Sequence, residues 1–148
     1  MMRWIVPFVL ALLMAAPAAA QGCSCQPQSV AELAPHLAVI FEGTVVGRPT
    51  QVPVTSAAAV NARNAYRFMV RRVWKGDVGP VFSVAYPVRD WANCGVELGE
   101  GQTLVVGANP YREPGLPMES DGCLIINMNP PGVDPVRSLG PPRLEHPQ

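Results

Sequence analysis

Two cysteines separated by one residue, Cys23-Ser24-Cys25, stand just behind an apolar leader, and two more, Cys94 and Cys123, lie far down the chain. This placement constrains the fold more than any other feature. The first twenty residues, MMRWIVPFVLALLMAAPAAA, combine one basic residue, Arg3, with an apolar core too short to span a membrane comfortably and a run of small residues. They read as a secretory signal peptide over 1–20. Cleavage after Ala20 leaves Gln21 first, and cleavage after Gly22 leaves Cys23 first; both satisfy the small-residue rule. A lipid anchor on Cys23 is the weaker reading, because Ala20 stands where a bulky aliphatic is expected. The mature chain is therefore expected to be periplasmic or secreted, where an even cysteine count favours two disulfides.

A bridge between Cys23 and Cys25 would strain the small ring it closes. Either remaining pairing staples the head of the chain to the regions around Cys94 and Cys123. The loops so closed span roughly 70–100 residues, for which the chain-entropy model gives ~4 kcal/mol each. Structural zinc sites bring ligands in pairs two to four residues apart, a spacing that these cysteines lack. No cofactor and no resident metal are expected.

Loss of the leader removes Arg3 and leaves ten basic against eleven acidic residues. So balanced a chain has no electrostatic attraction for nucleic acid or anionic lipid. About 126 residues make one ordinary domain, expected to be a monomer.

Along the chain, SVAELAPHL (29–37) predicts a brief helical turn, with Ser29 and Glu32 at capping-box spacing and Pro35 as a stop. AVIFEGTVVGR (38–48) predicts a strand with Phe41, Gly43 and Val45 on one face and Glu42 and Thr44 on the other. Residues 49–64 carry two prolines and no firm period, and read as a mobile connection. In AYRFMVRRVWKG (65–76), Tyr66, Phe68 and Val70 alternate inward before the phase slips, which predicts a bulge at Arg71-Arg72 and Trp74 on the inner face. Strands follow from Val81 and over 102–108. From Asn129 the chain has six prolines and little apolar content, and predicts a partly disordered tail over 129–148. About five bent strands suit a small all-β barrel.

Catalysis finds no constellation. His36 and His146 are isolated, the acidic pairs Glu97/Glu100 and Glu119/Asp121 sit in loops, and no nucleophile elbow, phosphate loop or H-E-x-x-H is present. The chain is not expected to be an enzyme.

CSCQP at the mature start, AVIFEGTVVGR, YRFMVRRVWKG, NCG followed by LGEGQTLVVGA, and the late Cys123 occur in that order. Together they resemble the tissue inhibitor of metalloproteinases family, the netrin-like module, in its short bacterial single-domain form, over residues 23 to about 126. The resemblance implies a five-stranded Greek-key barrel of the oligonucleotide/oligosaccharide-binding (OB) type over 21–128, with no nucleic-acid function. It implies the pairing Cys23 with Cys94 and Cys25 with Cys123. It further implies that Cys23, Ser24 and Cys25 form an inhibitory wedge against a secreted zinc metalloprotease. There the free α-amino group and carbonyl of Cys23 hold the protease's zinc, and Ser24 enters the specificity pocket. The animal inhibitors carry six cysteines in this domain and a further C-terminal domain, where this sequence has four cysteines and a proline-rich tail. The alternative is a non-inhibitory netrin-like module of the cell envelope that binds a protein or a glycan.

Overall fold

The computed structural model describes residues 25, 29–53, 62–89, 94–111, 118–126 and 136–147. The expected helical turn is present as α1 (Val30–Leu33). Ser29 caps it: the Glu32 amide donates to Ser29 Oγ, and the Glu32 carboxylate accepts from the Ser29 amide at 2.9 Å. Pro35 does not end the turn but carries it on as a 3-10 segment over Ala34–His36. A proline fits the first turn of such a segment, where its absent N–H costs nothing.

The strands are β1 (Val39–Val45), β2 (Thr50–Val52), β3 (Arg63–Lys75), β4 (Val81–Pro87), β5 (Thr103–Ala108), β6 (Met118–Glu119) and β7 (Leu144–Glu145). Their order in the sheet is β5-β1-β3-β4-β6. The antiparallel run β1, β3, β4 followed by β5 returning beside β1 is a Greek key. β6 joins β4 in parallel, and Glu119 exchanges both backbone hydrogen bonds with Asn109, just beyond β5, at 2.9 and 2.7 Å. The curled sheet thus meets itself at one residue pair, and the fold is all-β and barrel-like as expected, with seven strands in place of five because the short β2, β6 and β7 join the edges. β2 falls within the stretch expected to be a mobile connection.

Curling a sheet this tightly needs bends, and β1 and β3 supply them. Opposite β1 the register passes from Glu42↔Arg72 to Gly43↔Val70, leaving Arg71 as the extra residue of a bulge, as the phase slip predicts. A second shift, from Ile40↔Lys75 to Phe41↔Val73, leaves Trp74 over. Gly43 is needed at the bend, because a Cβ there would lie 3.0 Å from Phe68 Cβ and 3.1 Å from the Met69 carbonyl.

Two apolar clusters result. Inside the barrel, Phe41 meets Phe68 and Phe82 edge-to-face with ring centroids 5.5 Å apart, and Tyr66 meets Tyr86 at 5.8 Å. Outside it, Val30, Leu37, Ile40, Trp74, Val105 and Ile126 form a second cluster, with Val136 and Leu139 against it. Trp74 was expected inside; its bulge turns it outward, where the indole N–H donates to Gly140 O at 2.9 Å. The C-terminal segment, expected to trail off, is held there. Arg143 and His146 amides donate to Val73 and Arg71 carbonyls at 2.7 and 2.9 Å, and β7 pairs with Arg72 and Val73 of β3. Glu42, on the outer face of β1, is buried and paired with Arg72, whose guanidinium also lies 5.3 Å over the Trp74 ring. Among the described residues no helix is long and apolar enough to cross a membrane.

Candidate functional site

The site is built around the segment Asp121–Ile126. The Asp121 carboxylate accepts from the Cys123 and Leu124 amides at 2.8 and 3.2 Å and so caps the 3-10 turn Gly122–Leu124. Ile125 enters the inner cluster and bridges Val106, while Ile126 enters the outer one, so the turn is pinned on both sides of the sheet. Cys123, held in this turn, forms a disulfide with the exposed Cys25, with Cα atoms 5.3 Å apart across 98 residues of sequence.

The segment carrying Cys94 is pressed onto the same turn. The Gly122 amide donates to the Cys94 carbonyl at 2.9 Å, and a Cβ at Gly122 would lie 3.0 Å from Val96 Cγ1 and 3.1 Å from that carbonyl. Only glycine lets the two backbones approach so closely. Tyr66 fixes the segment from inside the barrel: its hydroxyl donates to Val96 O and accepts from the Leu98 amide, each at 3.4 Å. Cys94 is also disulfide-bonded, with its other half outside the described residues. Its sulfur lies 3.8 Å from that of Cys123. With both sulfurs oxidised this is packing contact, and it places the two cross-links side by side at one end of the barrel.

Of the predicted site residues, the structure therefore brings Cys25, Cys94 and Cys123 together. Cys23 and Ser24, with the expected Cys23–Cys94 bond, lie outside the described residues, as does the leader. Beside Cys123 is a shallow concavity of about 250 Å³ lined by Arg63, Pro87, Asn109, Glu119, Ser120 and Asp121, with Leu124 at its edge. Arg63 pairs with Glu119 at 3.2 Å and lies 5.1 Å over the Tyr111 ring. Its chemistry is a fixed pair of opposite charges with amide and hydroxyl neighbours. The Asp121-Gly122-Cys123 run carried a readable turn signal; Arg63 and Glu119, far apart in sequence, carried none.

Three other polar groups, on Ser120, Tyr86 and His146, lie within the fold. The Ser120 hydroxyl donates to Gly107 O at 2.7 Å. Tyr86 is fully buried; its hydroxyl completes no hydrogen bond among the described residues, and burial, opposed only in part by the neighbouring Ser120 side chain, pushes its phenol well above the ordinary value. His146 Nε2 lies 3.1 Å from Val78 O. Among the described residues no three His, Cys, Asp or Glu side chains gather to hold a metal. No protein-family model and no curated protein matches this chain.

Proposed function

We propose that this chain is an extracytoplasmic barrel of the netrin-like, metalloproteinase-inhibitor kind whose Cys23-Ser24-Cys25 segment blocks a zinc metalloprotease. The observation that carries this reading is the adjacency of the two cross-links. Cys25 is fastened to Cys123, and the sulfur of Cys94, itself disulfide-bonded, lies 3.8 Å from that of Cys123. In this reading Cys94 holds Cys23, so both cysteines flanking Ser24 are anchored within one patch.

Such an anchorage suits a wedge. A free α-amino group and the carbonyl of the same residue make a bidentate ligand for the protease's zinc, and Ser24 extends into the neighbouring pocket. A head already fixed by covalent bonds loses little conformational entropy on docking. The concavity beside Cys123, with its Arg63–Glu119 pair, provides a polar flank for the protease's rim. The wedge requires Cys23 to be the first residue, because an amide nitrogen does not chelate as an amine does.

The test is N-terminal sequencing of the exported protein followed by titration against a secreted zinc metalloprotease. The expected result is a chain starting at Cys23 that blocks the protease stoichiometrically, with one alanine added ahead of Cys23 abolishing the effect. A chain starting at Gln21, or inhibition indifferent to the added alanine, removes the chelation mechanism. Loss of inhibition altogether leaves the protein- or glycan-binding module.

A further inference from the structure

On β3, Arg67 stands between the buried Tyr66 and Phe68, so strand alternation turns it to the outer face. Directly across the ladder is Ser83 of β4, and two residues earlier on the same face is Ala65, opposite Thr50 of β2. Arg48, between β1 and β2, completes a concavity of about 390 Å³. The short side chain of Ala65 leaves the space that the two arginines and two hydroxyls surround. Gly47, at φ +70°, makes the turn that brings Arg48 in, and a Cβ there would sit 3.7 Å from Arg67 Nη2. The acid at this turn, Glu100, is occupied by the Gly47 amide at 3.1 Å.

Neither Arg48 nor Arg67 forms an ion pair among the described residues, whereas Arg63 and Arg72 both do. All four polar side chains of the concavity are exposed. A guanidinium presents a planar fork matched to a carboxylate, and the hydroxyls of Thr50 and Ser83 add donors. The next cross-strand pair, Met69 and Val81, is 45% and 51% exposed and continues the face as an apolar strip.

The ligand class follows from what surrounds the arginines. Without the leader's Arg3, ten basic and eleven acidic residues give no net positive field to gather a polyanion. The described side chains of this face include no aromatic ring on which a base or a sugar would stack. We infer that the concavity docks an acidic side chain of an extended peptide segment of a partner protein. Its carboxylate lies between Arg48 and Arg67, and an aliphatic neighbour rests on Met69 and Val81. This site does not depend on the protease-blocking reading.

The experiment is fluorescence anisotropy of the mature protein with a labelled, capped hexapeptide of two glutamates and four aliphatic residues, beside its glutamine counterpart. The expected result is binding of the glutamate peptide at least about tenfold tighter than of the glutamine peptide. Arg48→Gln and Arg67→Gln each weaken it by about tenfold, while Arg71→Gln, on an exposed position further along β3, leaves it unchanged. Circular dichroism of the variants matches the parent, since every altered side chain is exposed. Equal binding of both peptides, equal loss with Arg71→Gln, or no binding at millimolar peptide overturns the inference. A sulfated oligosaccharide that binds more tightly than the peptide through the same arginines also overturns it.

Discussion

The two apolar clusters of this molecule are separated by one layer of sheet, yet they are made in different ways. The inner cluster is written into single strands: Tyr66, Phe68 and Val70 alternate on β3, and Phe41 and Val45 on β1. The outer cluster joins segments from both sides of the barrel sequence to the sheet's outer face, with Val30 and Leu37 from the N-terminal side, Val136 and Leu139 from the C-terminal side, and Ile40, Trp74 and Val105 from the strands between them. The inner cluster shapes the barrel, and the outer one fastens the flanking segments around residues 30–37 and 136–139 to it. The candidate site depends on both, because Ile125 and Ile126 divide themselves between the two clusters just after Cys123.

This division of labour is broken or sharpened most strongly by paired truncations. Phe41→Ala should cost about 3–5 kcal/mol in urea unfolding, as a fully buried aromatic that meets both Phe68 and Phe82 edge-to-face. Trp74→Ala should cost less and act locally. In hydrogen exchange the Arg143 and His146 amides lose protection while the amides of β1 and β5 keep theirs. Equal global destabilisation by the two substitutions would merge the clusters into one unit. Next in size is the cross-link that ties the head to both clusters. The double substitution Cys25→Ser, Cys123→Ser should cost about 2–4 kcal/mol in the same unfolding measurement, given a closed loop of 98 residues.

The two inner tyrosines give a finer contrast. Tyr66→Phe leaves the Leu98 amide and Val96 carbonyl without their partner and should cost about 1 kcal/mol in thermal unfolding. Tyr86→Phe removes a buried hydroxyl that completes no hydrogen bond among the described residues, the Ser120 hydroxyl beside it already donating to Gly107 O, and should be close to neutral. The smallest effect is at the outer cluster's edge. Hydrogen bonds from the Ser29 amide and then the Ser29 hydroxyl hold the Glu32 carboxyl below its ordinary value of 4.5. Because the folded-state value is the lower one, the stabilisation is present above about pH 4.5 and is lost as pH falls through the folded value. Glu32→Gln should therefore flatten the acid side of the stability profile and leave neutral pH little changed.

The inner cluster was legible in the sequence because strand alternation is a local property, and the slip at Arg71-Arg72 showed where it breaks. The capping box at Ser29 and Glu32 was legible for the same reason. The outer cluster was not. Leu144 and Glu145 form no strand by composition and become one only because β3 offers an open edge at Arg72 and Val73. Trp74 reads as an inner residue until the second bulge turns it outward. At the site, the cysteine count implied a staple, and spacing left two pairings open. What distinguishes them is the turn at Asp121-Gly122, which sets Cys123 against Cys94 and against Cys25. That contact rests on an approach of two distant backbones that no local pattern encodes.

In the proposed function the head of the mature chain is fastened to the barrel by two neighbouring cross-links. Non-reducing peptide mapping of the exported protein by mass spectrometry tests this directly. The predicted result is one peptide pair joined through Cys25 and Cys123 and a second joined through Cys23 and Cys94, with no free thiol. Crossed pairing, a reduced Cys94, or a cysteine coupled to another molecule would contradict the account.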